Sequence, residues 1–271
     1  MSSPLPRPDR DRLSALAALV LLAIALVRIV ALPELEAQLQ AFGLVVRLRL
    51  STDLVLILLA SAVTATGADW MIRSHPMLNG AARRYDHLVL PGLSTVAGGI
   101  VLTGLPEGPG FWIGLPVAAA LLLAILVAEF VVVDPADPRF EAASIGLRAL
   151  GIALLAISLT GLLGYGTRAI FAVPAALVAG AAVAWRTLRL REGTERTGLY
   201  ALLVGSATAE LAWALHYWPV EPLKGAILLS LAGYFALGTA EAHAADRLTP
   251  RRAIEHGGMA AVGVLAVLIL M

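Results

Sequence analysis

An acidic residue stands alone in a long apolar stretch: Glu210 lies twelve residues after Gly198 and eight before Trp218. If the stretch is helical, Glu210 is roughly 18 Å from one end, too deep for a short side chain to reach a membrane surface. Ser206, Glu210, Trp213 and Tyr217 follow at offsets of four, three and four, which places them on one helical face. That pattern predicts a proton, cation or polar-ligand site at Glu210, with Ser206 and Tyr217 lining a pocket that opens between His216 and Trp218. Arg28, four residues before the end of the first apolar stretch, is the candidate cation for this pocket. The plainer readings are that Glu210 is a paired acid holding helices together and that Arg28 reaches back to the headgroups.

A second constellation is structural. Glu129 is four residues from the end of one apolar stretch and Arg148 five residues into the next. The turn between them is short, so the two helices should be antiparallel neighbours, with the charges at similar depth and paired.

Other chemistry is absent. Lys224 is the single lysine and follows leucine, so there is no phosphate-binding GxxxxGK[ST] loop. Neither a GxSxG elbow nor an HExxH pair occurs. The five histidines (His75, His87, His216, His243 and His256) fall in loops or near stretch ends, which leaves no axial pair for a mid-membrane haem. With no cysteine, thiolate catalysis and iron–sulfur ligation are excluded. No metal, cofactor, nucleotide or nucleic acid is expected, since the arginines are scattered and form no continuous basic stripe.

Composition says what must position these residues. Of 271 residues, 59% are hydrophobic and 14% charged, with a mean hydropathy of +0.84. A soluble domain carries about a quarter of its residues charged, so lipid is the expected solvent. Stretches of about 20 apolar residues cross a bilayer as helices. The sequence predicts an all-α, polytopic bundle forming a single membrane domain, after a cytoplasmic tail over 1–12. The nine spans fall near 13–32, 50–68, 88–105, 111–133, 143–163, 169–185, 198–218, 223–242 and 257–271. Leu35, Leu39, Phe42 and Val46 fall at helical spacing, so 33–49 reads as an amphipathic helix lying in the interface.

With the N-terminus inside, fourteen of the 20 basic residues fall on the inner side. Four (Arg47, Arg49, Arg168 and Lys224) fall outside, and Arg28 and Arg148 lie within spans. This bias is the expected sign of orientation. Small residues repeat along two spans, Gly92, Thr95, Gly99 and Thr103 in one and Ala172, Ala176, Gly180 and Ala184 in another. Such stripes allow helix backbones to approach closely, within the chain or against a membrane partner.

Function is less constrained than architecture. Asparagine and glutamine are limited to Asn79, Gln38 and Gln40, which argues against a sugar permease. A transporter-like protein handling a small or amphipathic solute at Glu210 is the leading expectation, in the plasma membrane of a prokaryote. A non-catalytic assembly subunit is the first alternative. An intramembrane enzyme acting on a lipid or isoprenoid is the second, disfavoured because no paired carboxylates or metal-ligand cluster can be found. The orientation is testable: reporter fusions after Arg84, Arg191 and Arg252 should read cytoplasmic, and fusions after Gly110, Arg168 and Glu221 external. Equal readings at Arg191 and Glu221 would remove the seventh span.

Overall fold

The computed structural model describes residues 6–29, 35–41, 44–50, 52–78, 85–106, 108–164, 168–190, 196–218, 220–245 and 249–269. These form two compact units where the sequence suggested one domain: residues 1–83 with 91–133, and residues 84–90 with 134–271. Among the described residues there are nine α-helices. The first unit holds α1 (Arg10–Ile29), α2 (Thr52–Ile72), most of α3 (Val89–Gly104) and α4 (Pro109–Val131). The second holds α5 (Phe140–Gly164), α6 (Ala169–Leu190), α7 (Thr197–His216), α8 (Pro222–Ala244) and α9 (Pro250–Ile269).

Seven of these, α2 to α8, are long and apolar enough to cross a membrane, α3 being counted together with the 3-10 turn Asp86–Leu88 that leads into it. The helices α1 and α9 form, but they carry Arg10, Asp11 and Arg12, and Arg251, Arg252 and Glu255, near their starts.

The segment expected as an interfacial helix is instead an antiparallel hairpin, β1 (Leu35–Ala41) with β2 (Leu44–Leu50). It is the one departure from a helical fold among the described residues. The cause lies in the pattern. Leucine and alanine alternate with Glu36, Gln38 and Gln40 along β1, and a similar alternation follows along β2. Period two is the strand period, and a few positions of such a stretch also fall at helical spacing. The register pairs Leu35 with Leu50, Ala37 with Leu48, Leu39 with Val46 and Ala41 with Leu44. The alternate pairs are Glu36 with Arg49, Gln38 with Arg47 and Gln40 with Val45. The register thus alternates apolar pairs with mostly polar ones along the ribbon.

In the first unit, Leu16, Val20 and Ile24 of α1 meet Ala68, Met71 and Ile72 of α2 and Leu122, Leu126 and Phe130 of α4. Gly67 leaves the room that the Leu16 side chain fills. The α3 stripe packs on α2: the Ser61 hydroxyl donates to the Gly92 carbonyl at 2.9 Å, the Thr64 and Thr95 hydroxyls meet at 2.8 Å, and Gly99 faces Ile57.

In the second unit the α6 stripe is buried and faces α7. A Cβ on Gly180 would lie 2.9 Å from the Thr208 hydroxyl, and one on Gly205 would lie 2.6 Å from the Leu177 carbonyl oxygen. Both small-residue faces are thus used within the chain, with no side-chain volume to spare. Gly205→Ala should cost about 1–3 kcal/mol through overpacking. Gly146→Ala, where nothing lies within 4 Å, should be neutral or slightly stabilising. Thermal unfolding in detergent separates the two, and equal midpoints would mean that the α6–α7 contact yields.

Candidate functional site

The inward face of α7 is made by Ala201, Val204, Gly205, Thr208, Ala209, Ala212 and Leu215, all buried. These residues fit the small-residue face of α6, and they fix the rotation of the helix. Glu210 is two positions from Thr208, about 200° around the helix, and so it is turned outward. It is exposed, together with Leu202, Leu203, Trp213 (59%) and Tyr217 (73%). Ser206 is half-buried. Tyr217 follows the last turn of α7, its ring edge-on to His216 with centroids 5.4 Å apart. Among the described residues Glu210 makes no hydrogen bond or ion pair.

The expected inward direction is corrected: Glu210 faces away from the packed interior of its unit, and small side chains fill that interior instead. Arg28, the expected cation, lies in the last turn of α1, and its side chain is outside the described residues. A groove of about 330 Å³ does occur, but on the first unit, between α1 and α2, lined by Ala15, Leu16, Leu19, Val63, Thr66, Gly67 and Trp70. Beside it the Arg12 guanidinium lies 4.6 Å over the Trp70 ring and donates to the Trp70 carbonyl at 3.1 Å.

The expected pair of Arg148 with Glu129 is also corrected. Arg148 Nη2 donates to both carboxylate oxygens of Glu241, at 2.6 and 2.5 Å. The reason is that α5 packs along α8, antiparallel, with Gly164 against Pro222 at one end and Leu155 against Gly233 further along. That register brings position 148 to position 241. Glu129 is fully buried in the first unit, at 0% exposure. Phe130, beside it in sequence, carries the ring of His75 edge-on at 4.6 Å. His75 is itself buried, and its Nδ1 accepts the Met77 N–H at 3.2 Å.

Sequence reasoning missed a further ion pair. Arg186 Nη1 donates to Asp86 Oδ2 at 2.8 Å, with side chains only 5% and 10% exposed. It ties the turn Asp86–Leu88 to α6. An arginine directly after Trp185 at the end of a span was the available signal. Three residues on, the Arg189 guanidinium lies 5.0 Å over the Trp185 ring, and its buried Nε finds no hydrogen-bond partner among the described residues. In the turn before α5, the hydrogen bonds that the Arg139 guanidinium donates to the Asp137 carboxylate raise its pKa above the ordinary value, against an opposing effect of burial. No group of three or more histidines and carboxylates is placed to hold a metal among the described residues.

Removing one partner of a buried ion pair leaves the other charge stranded. Asp86→Ala and Arg186→Ala should each cost about 3 kcal/mol or more, and the double variant less than the sum by roughly 1–3 kcal/mol. A double-mutant cycle read by unfolding checks this, and strict additivity would deny the pair its role in holding the turn to α6.

No curated protein matches the chain, nor does any solved structure. A family model described as "Protein of unknown function (DUF5656)" matches residues 32–270, from just before the hairpin to the end of α9. The chain belongs to that family, whose description leaves its molecular activity open.

Proposed function

We propose that this chain is a non-catalytic subunit of a membrane complex in a prokaryotic plasma membrane, and that it docks a partner helix on the α7 face around Glu210. The observation that carries the reading is the exposed carboxyl group of Glu210, set deep in a spanning helix with no partner among the described residues. An ionisable side chain at the centre of a lipid-facing helix costs about 2.5–3.5 kcal/mol on insertion scales. A cation or hydrogen-bond donor supplied by another helix offsets that cost. Trp213 and Tyr217 on the same face are residue types enriched where helices and interfaces meet. A second copy related by a two-fold axis through this face would set carboxyl against carboxyl. The partner that fits is therefore a different chain, presenting Arg, Lys, His or an amide at that level.

The transport reading needed a polar cavity reaching Glu210 from the bundle interior, and the interior side of α7 is packed with small residues. An enzymatic reading lacks a convergent cluster of histidines and acids among the described residues. Glu210→Leu distinguishes docking from the others. The isolated variant should fold with equal or higher thermal stability. The native assembly, extracted in mild detergent and sized by light scattering, should lose its partner and fall to the mass of the chain alone. An unchanged assembly mass in Glu210→Leu would overturn the reading, and solute flux lost at constant mass would restore transport.

A further inference from the structure

We propose that the furrow between α1 and α2 binds an anionic glycerophospholipid, with one acyl chain along its walls and the phosphate held at Arg12 and Trp70. Arg12 meets Trp70, and Leu16 meets Gly67, so the two helices run in opposite directions and the start of α1 lies level with the end of α2. From Trp70 to Val63 the furrow follows α2 for about 10 Å, with Ala15 and Leu19 along α1. Leu16 occupies the space over Gly67, which closes the floor. The one hydroxyl in the lining, that of Thr66, donates to the Ala62 carbonyl of its own helix at 2.9 Å. Along its length the furrow therefore offers an occupant only apolar contact. A polypeptide helix, about 10–12 Å across with its side chains, is too broad for a space of about 330 Å³. A hydrocarbon chain is not.

The mouth has the opposite character. Arg12, its side chain 32% exposed, directs Nη1 to the Trp70 carbonyl and sets Nε 3.6 Å from Asp9. Its Nη2 and the indole N–H of half-exposed Trp70 meet no acceptor among the described residues. Two donors are thus left at the end of an apolar furrow. Arg7 and Arg10 are exposed just before Arg12, and Asp69 is taken by Arg73. Four arginines (7, 10, 12 and 73) stand there against three aspartates (9, 11 and 69). Donors and positive charge above an apolar track match a phosphodiester above its acyl chain. The ammonium of a zwitterionic headgroup gains nothing at this mouth, and a free phosphate leaves the furrow empty.

The full chain, stripped of lipid in mild detergent, would be titrated with phosphatidylglycerol or phosphatidylcholine of identical chains, and the most tightly held lipid read by native mass spectrometry. The native chain should hold phosphatidylglycerol more tightly. Arg12→Gln should reduce that preference roughly five-fold, the share of one basic side chain at an anionic surface, and leave phosphatidylcholine binding unchanged. Ala15→Phe, at an exposed position in the furrow wall, should displace both lipids. Trp70→Phe keeps a ring beneath Arg12 and removes only the indole N–H, so it should lower the preference even if Arg12→Gln fails to fold. Equal retention of the two lipids by the native chain, or an unchanged preference in Arg12→Gln and Trp70→Phe, would overturn the headgroup site. Undiminished binding in Ala15→Phe, or displacement of the lipid by an equal concentration of glycerol phosphate, would overturn the furrow as its seat.

Discussion

Thr208 sits where α6, α7 and α8 of the second unit meet. It is fully buried, and its hydroxyl donates to the Val204 carbonyl of its own helix at 2.9 Å. That internal bond satisfies the buried hydroxyl. Around it, Gly180 of α6 and Gly233 of α8 present no side chain, the latter with space of 3.6 Å to the hydroxyl for a Cβ. Gly205, one turn earlier on α7, lies directly against the α6 backbone. In lipid no hydrophobic drive pulls helices together, and dispersion at close range must supply the cohesion. Helix rotation in this unit follows from the contact: once 180, 205, 208 and 233 must meet, the remaining faces of α6, α7 and α8 are assigned.

The charges of the second unit are arranged around that packing. Arg148 and Glu241 meet because α5 lies along α8, and Asp86 and Arg186 meet because residues 84–90 belong with the second unit. The chain thus leaves the first unit before Asp86 and returns to it at Pro91. Arginine suits both sites, since its guanidinium holds several donors in a fixed plane and stays charged when buried. Neither pair need add net stability over an apolar core. What each does is make the alternative registers expensive, because a slip of one turn strands both charges.

How much of this was legible in the sequence depended on whether a single element or a pair of elements decided it. Helix existence came from apolar stretches alone, and the α6 stripe of Ala172, Ala176, Gly180 and Ala184 named its own packing face. Leu35, Leu39 and Val46 misled, because an alternating stretch satisfies helical spacing at selected positions; the intervening Glu36, Gln38 and Arg47 carried the period-two signal. Arg148 was assigned to the nearest carboxylate in sequence, Glu129, whereas its partner lies 93 residues away on a helix brought alongside by packing. Glu210 is the subtlest case. The face it shares with Trp213 and Tyr217 was readable. Its inward or outward direction was not, because polarity and side-chain size gave opposite answers.

In most membrane bundles the polar face of a helix turns inward, away from lipid. Here α7 carries two claims on the interior: a stripe of small residues that must meet α6, and a carboxyl group that lipid disfavours. The stripe prevails because its contacts run the length of the helix, whereas the acid incurs its cost once. The rest of the unit shows that this chain can match deep charges internally, since Arg148 and Arg186 each find a carboxylate within it. Glu210 is left on the outside, where the exposed neighbours on α7 are Leu202, Leu203, Trp213 and Tyr217, so the acid stands in a largely apolar surface and its cost is met by no contact among the described residues of the unit.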